Sequence, residues 1–149
     1  MAGTVCIVAT AHAGKRFGLT ATSVASFCME PPALLVCVNR LGSTYSAIAA
    51  ATRFSVNLLA ASQVECARAF SSTAVTGESR FERERWVESP QGIPLLPSAN
   101  AAVLCEVEEV IPYGSHGAFI GRVLDVHIGT TAVAPLLYFD GGYRTLVSA

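Results

Sequence analysis

The sequence predicts a mainly β domain of barrel type with short helical inserts, and two observations support this prediction. About seven short runs of β-branched and aliphatic residues are bounded by Gly, Pro or Asn, as buried strands are. Only two segments have the pattern of helices, and neither is long enough to be the main scaffold. Antiparallel strands in this number can close into a barrel, which leaves ligand sites at its rim. Because the chain has 149 residues, we expect one domain over residues 1–149.

The predicted strands follow one another along almost the whole chain. The run at 18–28 alternates small polar with apolar residues, which suits a strand with one face in a polar site. Pro31 and Pro32 then force an extended corner. The seven strands are predicted at residues 4–10, 18–28, 33–39, 54–59, 103–110, 119–128 and 136–139.

The inserts between the strands are two short helices and one long segment. A helix is predicted over 44–52 with Ser43 as its cap, and another over 63–70, where Ser62 and Glu65 match a capping box. The segment 71–100 contains a run of mixed charges and then several prolines, so we expect a long surface excursion. Loops of this length often serve as lids or binding elements.

Composition and charge exclude several classes of function. The chain is 52% hydrophobic and 14% charged, which favours burial of apolar surface against a ligand or in a homodimer. A net charge of −1 provides no basic field for nucleic acid or an anionic membrane. No apolar run reaches the roughly 18 residues of a membrane-spanning helix, and no secretory signal begins the chain. We therefore expect a cytoplasmic protein.

Cysteine and histidine usage argues against a disulfide framework and a metal site. The five cysteines are odd in number and lack C-x-x-C spacing, so we interpret them as reduced packing residues. His12, His116 and His127 are scattered without ligand spacing, and His127 is expected to face water. The motifs of Rossmann, P-loop, α/β-hydrolase and zinc-protease sites are also missing from the sequence.

Three short segments are candidate parts of a ligand site. The small polar run Thr20 to Ser23 would let a planar ligand approach the backbone, although an ordinary half-exposed strand has the same pattern. The turn from Asn39 to Thr44 follows a strand and opens a helix, so it could bind a phosphate or be only a capped turn. His116 lies between two glycines and could face a ligand or only solvent.

These elements together resemble the flavin reductase-like family, whose members include small reductase components of two-component aromatic monooxygenases. The resemblance is collinear from about residue 4 to residue 146. It implies an FMN-binding split β-barrel of Greek-key type and a homodimer with flavin sites near its interface. Family members usually carry a further segment before the first strand, whereas this chain begins almost at that strand. The matching motifs are GLTATS at 18–23, PP at 31–32, LLV at 34–36, FSVNLL at 54–59, GIPLL at 92–96, GSH at 114–116, IGRV at 120–123 and PLLY at 135–138.

The resemblance also implies roles for individual residues. Thr20, Ala21, Thr22 and Ser23 would hold the isoalloxazine edge, with Thr22 and Ser23 orienting it. By the same resemblance the remaining site residues are Asn39, Arg40 and Ser43 beside the ribityl phosphate, Cys37, Val38 and Phe54 as further flavin contacts, and His116 and Tyr143 where the nicotinamide is received.

The function implied is that of an NAD(P)H:flavin oxidoreductase, in which NADH or NADPH reduces FMN or FAD and the reduced flavin leaves for a separate monooxygenase. Direct hydride transfer from nicotinamide to flavin N5 needs stacking and alignment rather than an acid–base dyad, so no catalytic residue is assigned. Two alternatives are an electron carrier that keeps its flavin and a dimeric scaffold without a cofactor. The sequence leaves open the preferred flavin, the preferred nicotinamide dinucleotide and the oxygenase with its substrate.

Overall fold

A computed structural model describes residues 1–130 and 134–149 of the chain. Two α-helices, α1 (Ser43–Ala51) and α2 (Val64–Ser71), and two 3-10 helices, Ala61–Gln63 and Gly77–Phe81, accompany the strands. The strands are β1 (Gly3–Thr4), β2 (Cys6–His12), β3 (Lys15–Ala21), β4 (Val24–Met29), β5 (Pro32–Asn39), β6 (Arg53–Leu58), β7 (Val87–Glu88), β8 (Pro94–Leu95), β9 (Ala101–Tyr113), β10 (His116–Ile128), β11 (Leu137–Phe139) and β12 (Gly142–Arg144). The predicted mainly β architecture with short helices is confirmed.

Seven of these strands form one antiparallel sheet with the order β3-β2-β6-β9-β10-β5-β4. The hairpins β2–β3, β4–β5 and β9–β10 pair consecutive strands. The chain passes from β5 to β6 through α1, and β6 pairs with β2 and β9 rather than with β5. As a result, β3 and β4 are consecutive in the sequence but lie at opposite edges of the sheet.

The prediction of one strand over 18–28 is wrong, because this run contributes to both edges. Ala21 is the last residue of β3 and pairs with Cys6, whereas Val24 begins β4 and pairs with Val36. Thr22 and Ser23 carry the chain from one edge to the other. The carbonyl oxygen of Ser23 accepts a hydrogen bond from the Cys37 amide at 3.0 Å, which fixes this crossing against the end of β5.

Both predicted helix caps are also wrong. Ser43 is the first residue of α1, so the N-cap position is Gly42. Gly42 has an extended backbone conformation and no side chain that could cap the helix. Before α2, the chain forms the 3-10 turn Ala61–Gln63, and the Gln63 side-chain oxygen accepts the Ala60 amide at 2.9 Å. This turn moves the start of the α-helix past Ser62, so the predicted capping box does not form.

The segment 71–100 contributes to the core and is not only a surface excursion. Phe81, Ile93 and Leu96 are buried, and Phe81 packs edge-on against Phe70 of α2 with ring centroids 4.9 Å apart. Trp86 contacts both rings, with centroids 5.5 Å from Phe70 and 5.1 Å from Phe81. The apolar residues of this segment thus cover one side of the sheet, although the charges between them are typical of a solvated loop.

Two hairpin turns contain a glycine with positive φ, and the predictions for His127 and the cysteines agree with the structure. The hairpin turn after β9 has Gly114 at φ 55°, a conformation that favours glycine, and Asp140 with Gly141 forms the turn between β11 and β12. His127 is exposed, and all five cysteines are free thiols. In the described parts of the chain, no helix is long and apolar enough to cross a membrane.

Candidate functional site

The main cavity of the described structure opens where the two edges of the sheet separate. Its volume is about 650 Å³, within the roughly 300–1,000 Å³ of small-molecule sites. The end of β3 and the crossing at Thr22 and Ser23 form one wall, and the end of β5 forms another. The start of α1, the end of α2 and the 3-10 helix Gly77–Phe81 complete the cavity. We call this cavity the cleft.

Nine of the twelve residues predicted for the site line the cleft. The pairing of β5 with β10 places Asn39 directly opposite His116, so the phosphate turn and the histidine loop meet at one end. The run predicted to hold the flavin ring lines the same cleft. The nine residues are Thr20, Ala21, Thr22, Ser23, Cys37, Val38, Asn39, Ser43 and His116.

Hydrogen bonds hold the cleft walls in place. The Thr20 hydroxyl donates to the Ala67 carbonyl of α2 at 2.6 Å, which joins the β3 edge to the helix. The Asn39 side-chain oxygen accepts the Leu41 amide at 2.9 Å and so shapes the turn before α1. Because both side chains are held by their neighbours, the cleft is shaped before any ligand enters.

The histidine in the cleft has a defined neighbour. His116 is exposed, and its Nδ1 lies 2.8 Å from the Ser115 hydroxyl. This contact leaves the other ring nitrogen, Nε2, available for a ligand.

The charge on the cleft walls is positive. Among the described residues, no Asp or Glu lines the cleft, and Arg80 is the only Lys or Arg that does. Apart from Asn39 and His116, the rest of the lining is small, hydroxyl-bearing or apolar. A ligand with a flat ring and an anionic end matches this distribution.

Comparison with known proteins identifies the family. The model of the flavin reductase like domain matches residues 1–147. The chain belongs to the flavin reductase-like family. The resemblance seen in the sequence motifs and the split-barrel fold that it implied are therefore confirmed.

Individual members of the flavin reductase-like family cover most of the chain. The reductase component of an FADH(2)-dependent resorcinol hydroxylase from Rhizobium sp. (strain MTP-10005) is 36% identical over 142 residues, which cover 94% of this chain and 78% of that protein. The FMN reductase (NADH) RutF of Pseudomonas syringae pv. syringae (strain B728a) is 34% identical, covering 99% of this chain and 82% of that protein. The solved structure of a Streptomyces globisporus C-1027 NADH:FAD oxidoreductase in complex with NAD and FAD fragments superimposes with a TM-score of 0.90 at 27% identity, covering 99% of this chain and 87% of that chain.

Three residues assigned by resemblance to the flavin reductase-like family do not line the cleft. Phe54 is fully buried, with its ring 6.3 Å from that of Phe119, and it is not among the residues that line the cleft. Arg40 donates to the Gly114 carbonyl at 3.2 Å and lines a separate cavity beside Tyr45. Arg40 follows the strand β5, and this position suggested that it lies beside the flavin phosphate. The turn after β5 instead places Arg40 in the lining of the neighbouring cavity.

Tyr143 lines a smaller cavity of about 220 Å³ next to the cleft. The two cavities share Thr20, Thr22 and Ser71 as lining residues. The Tyr143 ring packs edge-on against Tyr138 at 5.4 Å, which fixes it at the border of the site.

Several cleft residues were missed by the sequence analysis. Phe70, Ser71 and Arg80 come from α2 and the segment 71–100. The sequence predicts a helix and a long surface excursion there but assigns no site residue to either. The signal available was the pair of large aromatics, Phe81 and Trp86, within the charged run, because such residues seldom occur in a fully solvated loop. Leu19 was also missed, whereas Leu41, Gly42 and Thr44 belong to the turn predicted as a possible phosphate site but were not assigned individually.

Burial makes three of the cysteine thiols unreactive at neutral pH. Burial raises the pKa of Cys6 and of Cys105 to about 12. Burial also raises the pKa of Cys66 to about 12, with a smaller contribution from the carboxylate of Glu84. These thiols act as apolar packing groups, as predicted.

Proposed function

We propose that this chain binds a flavin in the cleft, reduces it with a nicotinamide dinucleotide and releases the reduced flavin to a separate oxygenase. The sequence-based assignment as an NAD(P)H:flavin oxidoreductase is confirmed by the family and by the relatives named above. The observation that carries the proposal is the cleft itself, which combines nine residues predicted for the site with walls that contain one arginine and no carboxylate among the described residues.

The residues of the cleft fit a flavin. Ala21 and Val38 line the cleft but are nearly fully buried, so little side-chain bulk projects into the space that a flat ring would occupy. Thr22 and Ser23 offer hydroxyls and main-chain groups for the polar edge of the ring. A bound flavin supplies the hydride acceptor at its N5 atom. The chain's own task is to hold and align the two rings while excluding water.

We further propose that His116 aligns the nicotinamide. Its Nδ1 lies within hydrogen-bond distance of the Ser115 hydroxyl. When that hydroxyl donates to Nδ1, the ring proton is on Nε2, which can then donate to a carboxamide. Tyr143 borders the adjoining cavity, which provides room for the rest of the dinucleotide beside the flavin. The imidazole would position the donor without exchanging a proton.

A homodimer and a cytoplasmic location are also proposed. Large apolar side chains remain exposed on the sheet, among them Met29 at 81% and Ile128 at 66% of their full surface, and a second copy would cover them. Five free thiols suit a reducing compartment, where NADH and reduced flavin also occur. A light-scattering mass of twice 15.6 kDa is expected, and a mass equal to one chain would contradict the dimer.

The direct test is anaerobic oxidation of NADH with FMN, FAD and riboflavin in turn. We expect stoichiometric reduction of added flavin and loss of flavin from the protein on dialysis. A protein that stays yellow on dialysis and does not turn over added flavin would instead be an electron carrier. Absence of flavin binding, measured by quenching of the single tryptophan, Trp86, would refute the proposed function.

A further inference from the structure

We propose that residues 72–80 form a movable strap over the edge of β3, and that the ion pair between Arg16 and Glu78 is the latch that sets how fast a flavin enters and leaves the cleft. The inference rests on the proposed function, because it concerns the exchange of the flavin that the cleft binds. The strap runs from the end of α2 into the 3-10 helix Gly77–Phe81. Its residue Arg80 lines the cleft, so a movement of the strap changes the shape of the cleft.

The strap is anchored in the core less firmly than the other walls of the cleft. β3 and β5 belong to the seven-stranded sheet, and α2 has four buried residues. By contrast, none of the residues from Thr73 to Arg80 is buried. Phe81 follows the strap and is buried against Phe70 of α2, which fixes that end. A segment that buries so little apolar surface between fixed ends can open at a small fraction of the cost of unfolding the domain.

Hydrogen bonds within the strap keep its shape. The Arg80 side chain donates from Nη2 to the Ser72 carbonyl at 3.0 Å and from Nε to the Val75 carbonyl at 2.8 Å. The Ser79 hydroxyl donates to the Thr76 carbonyl at 2.5 Å. These bonds connect the two halves of the strap with each other and not with the sheet. The strap can therefore move as one unit without losing them.

Two arginines join the strap to β3. Arg80 donates from Nη1 to the Gly18 carbonyl at 2.9 Å. Arg16 donates to the Glu78 carboxylate from Nε at 2.9 Å, from Nη2 at 2.5 Å and from its backbone amide at 3.2 Å. Among the described residues, no other pair forms a hydrogen bond between the strap and β3. The guanidinium carbon of Arg16 also lies 4.4 Å from the centroid of the Phe81 ring, so the latch holds the strap beside its buried end.

The latch is weak enough to open often. The side chains of Arg16 and Glu78 keep 33% and 58% of their full exposure. Ion pairs as exposed as this one are solvated and are screened by salt, so each contributes little to stability. Neither residue lines the cleft, so the pair can form whether or not a flavin is bound.

A small cavity of about 30 Å³ lies beneath the strap, between it and the start of α1. Three residues, Ser43, Thr44 and Arg80, line both this cavity and the cleft, so the two spaces adjoin. In the parts of the chain that the structure describes, no hydrogen bond joins the strap to α1. Breaking the latch would therefore let the strap lift away from α1 and widen the cleft at this end.

The experiment measures FMN exchange by stopped-flow quenching of Trp86 fluorescence, with oxidised flavin and without NADH. The slope of the observed rate against FMN concentration gives the association rate constant, and the intercept gives the dissociation rate constant. Glu78→Gln keeps the size of the side chain and an acceptor oxygen but removes the charge. Glu65→Gln is the matched control, because Glu65 also pairs with an arginine at a similar exposure of 60% but lies on α2, outside the strap.

We expect Glu78→Gln to raise the association and dissociation rate constants by the same factor, about 2- to 5-fold, which is the range that an exposed ion pair can supply. The dissociation constant of FMN should stay unchanged, because the strap must open both for entry and for exit. Glu65→Gln should keep both wild-type rate constants. Arg16→Gln removes the other partner and should also accelerate exchange in both directions. The effects of Arg16→Gln and Glu78→Gln should not add, because both substitutions break the same pair.

Salt provides an independent readout of the latch. Riboflavin is the ligand in this series because it has no phosphate, so the salt acts on the latch and not on an ionic contact of the ligand. Raising the ionic strength to about 1 M, where the Debye length is roughly 3 Å, should accelerate riboflavin exchange in the wild type and in Glu65→Gln. The exchange rate of Glu78→Gln should not respond in this way.

Three results would overturn the latch while leaving the proposed function intact. The first is wild-type rate constants in Glu78→Gln. The second is a raised dissociation rate constant with an unchanged association rate constant, since the pair would then stabilise only the bound state. The third is equal acceleration in Glu65→Gln, which would show that loss of any surface ion pair loosens the protein. Failure of the wild type to bind FMN, FAD or riboflavin would refute the proposed function itself.

Discussion

Gly18 controls the position of a cleft side chain, and its substitution by alanine tests the packing described above. Gly18 lies in β3, and a Cβ atom there would lie 2.6 Å from Cε1 of Phe70 and 3.3 Å from the Val8 carbonyl oxygen. Ordinary contacts of a Cβ atom begin near 3.4 Å, so the ring has to move. Phe81 and Trp86 pack against Phe70, and the cleft is the open side.

We expect Gly18→Ala to destabilise the protein by about 1–3 kcal/mol, the usual cost of overpacking a core. For a chain of this size the change corresponds to a melting temperature lower by roughly 2–12 °C. The flavin should also bind more weakly, because the displaced ring enters the cleft. Urea unfolding followed by Trp86 emission measures the first effect, and flavin quenching measures the second.

A double-mutant cycle with Phe70→Leu separates this clash from a general intolerance of alanine in β3. Leucine is smaller than phenylalanine, so Phe70→Leu alone should cost about 1–2 kcal/mol for the lost apolar contact. In the double variant the new methyl group gains room, and we expect a favourable coupling of about 1 kcal/mol or more. If the two free-energy changes simply add, the contact between Gly18 and Phe70 does not limit the packing of the cleft, and the reasoning is refuted.

Three further predictions concern single side chains. His116→Ala should lower turnover with NADH about 10- to 100-fold while flavin affinity and melting temperature stay nearly constant, whereas wild-type kinetics would show it to be only a loop residue. Iodoacetamide should alkylate Cys28 and Cys37, which are the partly exposed thiols, and bound FMN should protect only Cys37, because Cys37 lines the cleft. Mass spectrometry measures the alkylation of each cysteine, and equal protection of both or of neither would place the flavin elsewhere. Hydrogen bonds from Arg16 lower the pKa of Glu78 below its usual 4.5. Glu78→Gln should therefore be less stable than the wild type at neutral pH, and this difference in unfolding free energy should disappear as the pH falls through the lowered pKa. A difference that does not change with pH would mean that the ionised pair does not contribute.

The sequence by itself determined the fold class, the family and most of the cleft. Strand patterns and turn residues are local signals, because alternation and chain reversal depend on neighbouring residues. The polar run at 20–23 and the turn at 39–43 were therefore recognisable before their contacts were known. The structure brings them together at the separation of β3 from β4, where the cleft lies.

The tertiary structure alone decided which residues of similar sequence context face the cleft. Arg40 and Arg80 both occur in polar segments, yet long-range bonds from Arg80 to Gly18 place it in the cleft, and the turn places Arg40 in another cavity. Phe54 is the second residue of β6, and the pattern of this strand does not reveal which residues face the interior of the barrel. Packing against Phe119 buries it. Partners of this kind lie tens of residues away in the chain, so periodicity and local propensity carry no information about them.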